Sequence, residues 1–143
     1  MDLETLQNVV AGLQDQLATL ESQHERLNFQ FGLVVSNLDI DEHGTAIFFN
    51  ENDWGEEEWD AIADVFDRYS NQLVNAETFT YSDIEKDLSD AVGLSYQGVK
   101  TLVSTYYREG RWTEVCYQYA KSLGDNPPIG MQKITADYEG RVI

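Results

Sequence analysis

Residues 3–27 read LETLQNVVAGLQDQLATLESQHERL, and apolar side chains recur in them at alternating spacings of three and four. Such a repeat places one narrow apolar seam along a helix, the pattern typical of a left-handed coiled coil. We therefore predict that residues 1–30 form a helix that pairs with a second copy of the chain, most simply as a homodimer. The predicted dimerisation residues, which we call the seam, are Leu3, Leu6, Val10, Leu13, Leu17, Leu20, His24 and Leu27.

The composition of the seam leaves the geometry of pairing open. Leucine fills the d positions, and Val10 and Leu17 occupy a positions, which is compatible with a parallel dimer. An antiparallel pair or a larger assembly fits the same residues, as does a helix that packs on its own domain. The stripe is narrower than that of most globular-domain helices, which favours pairing. His24 falls at an a position, either as a hydrogen-bonded histidine or as a pH-sensitive element of the seam.

Residues 33–50 are predicted to form a β-hairpin. The run 45–49 is rich in apolar and β-branched side chains, and residues 41–44 have turn chemistry. A helix capped by Asp53 follows, with acidic side chains in its first turn. The middle segment, residues 31–78, is therefore interpreted as an acidic β-hairpin plus a helix.

A near match to an EF-hand calcium loop begins at Asp39. His43 stands where an oxygen ligand is needed, and Asn50 replaces the bidentate glutamate at the twelfth position. The two histidines and the single cysteine lie in unrelated contexts, so they do not suggest a zinc site either. We interpret the segment as an acidic turn and predict no metal site.

The formal net charge of −17 is unevenly distributed. Residues 1–80 hold 17 acidic and 2 basic side chains, whereas residues 95–133 hold 3 acidic and 5 basic ones. Three interpretations are open: an ordinary acidic surface, adaptation to high salt, or a nucleic-acid mimic that occupies a basic protein partner. Only the C-terminal half would tolerate a polyanion such as double-stranded DNA.

The segment from Asp87 to Trp112 has the pattern of two helices joined by a tight turn. Gly93 permits a left-handed backbone conformation, and Leu94 fills the angle between the helices. Ser95 is placed to cap the second helix, whose inner face carries Val99 and Leu102 among others.

These residues resemble the helix-turn-helix of winged-helix DNA-binding regulators, and the resemblance extends over about residues 80–142. It implies a β wing within residues 112–135, a winged helix-turn-helix-like domain at 79–143 and, for the whole chain, a mainly α fold with a small β component. Gly98 departs from the pattern, since it lies in the middle of the second helix. The resemblance implies nucleic-acid contacts from the outward face of that helix and its C-terminal flank. The residues concerned are Ser95, Tyr96, Gln97, Lys100, Thr101, Arg108 and Arg111.

A second interpretation covers the same residues. The spacing of apolar and small side chains from Leu102 to Pro127 is similar to that of one tetratricopeptide-like helical hairpin. In that case residues 113–123 are a helix with Val115, Tyr119 and Leu123 on one face, not a strand of a wing.

No Gly-rich phosphate loop, zinc-protease motif, cysteine pair or serine-nucleophile motif is present in the sequence. We therefore expect neither an enzyme nor a cofactor, and the lack of a long apolar run predicts a cytoplasmic protein that does not contact membranes. The leading hypothesis is a dimeric DNA-binding transcriptional regulator. The alternatives are an acidic inhibitor or adaptor, possibly virus-encoded, that binds a basic protein, and a non-catalytic helical scaffold.

Overall fold

The computed structural model describes residues 2–142, apart from the side chains of Ile40, Asp41 and Val142. The described chain contains helices and no strand, so the predicted α+β fold class is wrong. It divides into two compact units, one up to Leu38 and one from Asp39 onward, which we call the helical domain. The helices are α1 (Leu3–Ser36), α2 (Ile40–Glu51), α3 (Glu56–Val74), α4 (Tyr81–Val92), α5 (Tyr96–Arg108), α6 (Thr113–Ser122) and α7 (Ile129–Val142).

Helix α1 constitutes nearly all of the first unit. Asp2 caps it by accepting a hydrogen bond from the Thr5 backbone N–H at 2.8 Å, and its 34 residues span roughly 50 Å at 1.5 Å per residue. The helix passes through Gly32, where we predicted that it gives way to a strand. One glycine disfavours a helix by only about 1 kcal/mol, which is too little to end a helix of this length.

The predicted β-hairpin at 33–50 is wrong, because α1 continues to Ser36 and α2 occupies most of the remainder. Gly44, Thr45 and Phe48 are buried, and the residues between them are less so, which is the spacing of a helix face. The backbone of α2 departs from helical geometry at His43 (φ −128°, ψ 26°). The EF-hand-like stretch thus lies within a helix and is not the predicted turn, and no cluster of potential metal ligands occurs among the described residues.

Helix α3 begins later than predicted. Asp53 does not cap it but adopts a left-handed conformation (φ 53°) in the turn after α2. The start of α3 is instead marked by Gly55, whose backbone N–H donates to Glu58 Oε2 at 2.9 Å. The spacing from Asp53 to Glu56 suggested a capping box, but the spacing from Gly55 to Glu58 is the one that the helix uses.

The predicted pair of helices joined by a tight turn is present as α4 and α5. Gly93 is left-handed (φ 69°), and Ser95 Oγ accepts a hydrogen bond from the Gly98 N–H at 3.1 Å. Leu94 is buried in the angle between the helices. A Cβ at position 98 would lie 2.6 Å from Leu94 Cδ1, so Gly98 makes room for the side chain that closes the turn.

The predicted β wing at 112–135 is wrong, and with it the winged-helix resemblance. Helix α6 and the start of α7 occupy the segment. Polar and apolar residues alternate over 113–119 as in a strand, but the run is too short to distinguish a strand from a helix. The buried residues Val115, Cys116 and Tyr119 follow helical spacing. The alternative of a helix at 113–123 is therefore confirmed.

Helix α5 lies at the centre of the helical domain, in contact with α2, α4, α6 and α7, while α3 packs on α4 and α6. Its Leu102, Val103 and Tyr106 are completely buried. The ring of Tyr106 lies 5.1 Å from those of both Phe66 and Trp112. None of the described helices has an apolar stretch long enough to span a bilayer.

Candidate interaction surfaces

The seam is exposed over its whole length. None of the residues of α1 is buried, and seam leucines such as Leu13, Leu20 and Leu27 expose 59%, 62% and 64% of their surface. A helix in a protein gains most of its stability by packing its apolar face against another element. The predicted dimerisation residues therefore share one apolar face that the described chain leaves uncovered.

Neutral amides flank the seam. In the heptad frame set by Leu3, the e and g positions beside the seam hold mainly glutamine. Of the acidic residues of α1, Glu4, Asp15 and Glu25 occupy outward b and f positions, and Glu21 alone lies at an e position. Within the seam, His24 Nε2 lies 3.1 Å from Asn28 Nδ2, so the histidine has a neutral hydrogen-bond partner on its own helix. The strip beside the seam thus carries little of the negative charge of the chain.

Of the residues predicted to contact nucleic acid, the uncharged ones lie at the start of α5. Ser95 is used as the helix cap. Tyr96 is 63% exposed, and Gln97 and Thr101 are exposed beside it. The Thr101 hydroxyl donates to the Gln97 carbonyl at 3.2 Å, so it is partly engaged within its own helix.

Two of the three predicted cationic contacts are neutralised by carboxylates. Lys100 Nζ lies 3.6 Å from Glu85 Oε2, and both side chains are more than four-fifths shielded from solvent. Arg111 Nε lies 3.6 Å from Glu109 Oε1, and its guanidinium stacks over the Trp59 ring at 5.2 Å. Paired in this way, both cations offer less attraction to a phosphate backbone than the sequence suggests.

Helix α7 further restricts the outward face of α5. Pro128, Gly130 and Met131 line a shallow cavity together with Gln97 and Lys100. A recognition helix needs an unobstructed face to enter a DNA major groove, which is about 12 Å wide. Contact with double-stranded DNA stays a prediction. The β wing that would support it does not form among the described residues, and two of the three predicted cationic contacts, Lys100 and Arg111, are paired with carboxylates.

Helix α3 presents an acidic face. Glu56, Glu57, Asp60 and Asp64 are exposed at helical spacing, in the first half of the helix. The arrangement accords with the predicted alternative of a basic protein partner, which likewise stays a prediction.

Tyrosine hydroxyls join the helices of the domain by hydrogen bonds to carboxylates. Each bond links two different helices. The Tyr117 hydroxyl lies 2.8 Å from Glu139 Oε1, and the Tyr119 hydroxyl lies 3.3 Å from Glu85 Oε2. None of these bonds was predicted, because the two residues of each pair lie 18 to 34 positions apart in the chain. The four pairs are Tyr69–Asp87, Tyr107–Asp137, Tyr117–Glu139 and Tyr119–Glu85.

These bonds predict a loss of stability at alkaline pH. Burial and the Asp137 carboxylate raise the pKa of Tyr107 to about 12, and burial raises the pKa of Tyr69 and Tyr119 further. Below pH 10 the phenols are protonated in both folded and unfolded chains. Above it the unfolded chain releases these protons first, so the free energy of unfolding should fall as pH rises. Urea unfolding at a series of pH values, followed by circular dichroism, measures this slope.

Substituting Tyr107→Phe removes one of the titrating groups and should make that slope shallower. An unchanged slope in this variant, or stability that does not fall between pH 10 and 12, would contradict the assignment.

A groove between α5 and α7, which we call the α5–α7 groove, encloses about 530 Å³. Its apolar floor includes Ile134, and Gly130 lies at its α7 edge. Its polar lining consists of Ser104, Tyr107, Arg108, Lys133, Asp137 and Arg141. Of these only Arg108 was predicted as a site residue, because no local pattern indicates that α7 returns beside α5.

Comparisons of the chain with protein-family models, with curated proteins and with solved structures find no match.

Proposed function

We propose that the protein is a self-associating helical scaffold, in which α1 pairs two copies of the chain and each copy carries one helical domain. The observation that carries the proposal is the uninterrupted exposure of the seam along a helix of 34 residues. Large apolar patches that remain exposed in a soluble protein commonly mark interaction surfaces.

The heptad pattern favours another seam of the same kind as the partner of this one. A left-handed coiled coil requires knobs and holes at the same 3-4 spacing on both helices. A second copy of α1 meets this requirement without any further assumption, because the same seven apolar residues and His24 recur on it.

Charge also favours a second copy. Two chains of net charge −17 repel one another, and this repulsion opposes association in general. Along α1 the acidic side chains lie mainly at outward positions, where the distance between paired helices is greatest. The glutamines at the e and g positions form a neutral border that allows like chains to approach.

Introducing charge into the seam should separate the chains. The double substitution Leu13→Asp with Leu20→Asp is expected to raise the dimer dissociation constant by at least about a hundredfold, because loss of a buried leucine contact costs about 2–5 kcal/mol. Sedimentation equilibrium should give the wild-type protein twice the 16.3 kDa chain mass and this variant the mass of one chain.

The matched control adds the same two charges on the opposite face. Asn8→Asp with Ser22→Asp alters two outward f positions and should leave the dimer intact. The proposal fails if the wild-type protein has the mass of one chain at every concentration. It also fails if the seam variant and the control have equal mass.

A further inference from the structure

The lining of the α5–α7 groove has an excess of positive charge, although the protein as a whole is strongly acidic. Its lining includes Arg108, Lys133 and Arg141, which are three of the nine basic side chains in the sequence, against the single carboxylate of Asp137. A volume of about 530 Å³ lies within the range of roughly 300–1,000 Å³ typical of small-molecule sites.

The one carboxylate in the groove already has partners. Asp137 accepts a hydrogen bond from the Tyr107 hydroxyl and lies 3.2 Å from Arg141 Nε. A guanidinium has five N–H donors, so this contact through Nε leaves others available on Arg141. Asp137 and the Tyr107 ring, 5.9 Å from the guanidinium, therefore hold the exposed side chain of Arg141 beside the groove without using all of its donors.

The ammonium group of Lys133 is a positive charge in the groove that no described carboxylate pairs with. It is exposed and forms no ion pair with the described residues, unlike Lys100 and Arg111. It lies on α7 one helical turn before Asp137, and Ser104 on α5 lines the same groove and carries a hydroxyl donor. The groove thus combines a lysine that has no ion pair with the described residues, an exposed guanidinium held by Asp137, and a hydroxyl.

We propose that the α5–α7 groove binds the phosphate group of a small phosphorylated molecule. A dianionic phosphate presents several acceptor oxygens, which suit an ammonium, a guanidinium and a hydroxyl acting together. The apolar floor at Ile134 would contact the organic part of the ligand. A long polyanion would instead extend beyond the groove, over a domain that carries most of the acidic residues of the chain.

The test is a titration of the full-length protein with inorganic phosphate and with phenyl phosphate at constant ionic strength, followed by backbone amide chemical shifts. Shifts should concentrate at the groove-lining residues of α5 and α7. Substituting Lys133→Gln, at an exposed position, should raise the dissociation constant at least about tenfold. Lys121→Gln, which removes an exposed lysine on α6, should leave the dissociation constant unchanged.

Arg141→Gln gives a second variant and should also weaken binding. Thermal unfolding of each variant shows that the domain is still folded. The proposal is overturned if acetate at the same ionic strength produces the same shifts, if the two lysine variants bind equally, or if shifts occur at basic residues throughout the domain. Solution mass reports separately on pairing through α1, so a failure here leaves the scaffold proposal unaffected.

Discussion

Replacing Phe66 with alanine is expected to lower the free energy of unfolding of the helical domain by about 3–5 kcal/mol. Phe66 is completely buried on α3, and its ring contacts those of Tyr106 on α5 and Trp112 at the start of α6. It therefore joins three elements of the core. Truncation leaves a cavity that these rigid rings cannot close without moving their helices.

Urea unfolding followed by circular dichroism measures the loss, and Tyr106→Phe provides the control within the same cluster. The Tyr106 hydroxyl is buried and has no hydrogen-bond partner among the described residues. Its removal should leave stability unchanged or raise it, since an unsatisfied buried hydroxyl is unfavourable. A Phe66→Ala variant as stable as Tyr106→Phe would show that this cluster does not hold α3 against α5.

The second large effect is expected for Glu109→Ala, which should cost about 1–3 kcal/mol by leaving buried donors without an acceptor. The Glu109 carboxylate is 12% exposed and accepts hydrogen bonds from both the backbone N–H, at 2.7 Å, and the hydroxyl of Thr45. Thr45 follows the irregular backbone at His43, where the regular part of α2 resumes. Glu109 therefore acts as a cap supplied by a distant part of the chain.

Glu109→Gln keeps an acceptor oxygen and should recover part of the loss. Arg111→Gln removes the ion pair and the contact with the Trp59 ring but leaves the Glu109 carboxylate bonded to Thr45, so it should have a smaller effect. Hydrogen exchange of the α2 amides should show where the stability is lost. If Glu109→Ala leaves exchange in α2 unaltered, this capping role is incorrect.

The parts of the fold that could be predicted from sequence are those fixed by neighbouring residues. The turn from Gly93 to Ser95 is local, because a left-handed glycine and a side-chain cap act within a few positions. The seam could be predicted equally well, because a 3-4 repeat of apolar residues over 25 positions fits a helix and does not fit a strand.

The β predictions failed where the pattern was short. In residues 45–49, and again in 113–119, a few apolar side chains suited a strand, but their neighbours within the domain selected a helix. The packing of α2 against α5 depends on Gly44, where a Cβ would lie 2.8 Å from Thr105 Cγ2. A contact across 61 positions of the chain has no signal in a single sequence.

The two candidate sites also differ in whether neighbouring residues in the sequence form them. The seam residues are contiguous on one helix, so their periodicity identified them. The α5–α7 groove draws Ser104 and Arg108 from one helix and Lys133 and Arg141 from another, so its charge becomes apparent only once α7 lies beside α5. The predicted cations Lys100 and Arg111 were misjudged for a related reason, because sequence does not show which carboxylates neutralise them.

The tyrosine–carboxylate bonds determine how this domain should respond to its ionic surroundings. A phenol is a neutral donor, so its bond to a carboxylate loses less to counterion screening than an exposed lysine–glutamate pair would. Added salt weakens the mutual repulsion of the acidic side chains, while these links between helices are largely maintained. The domain can therefore carry a large negative charge with few lysines and still be held together in concentrated electrolyte.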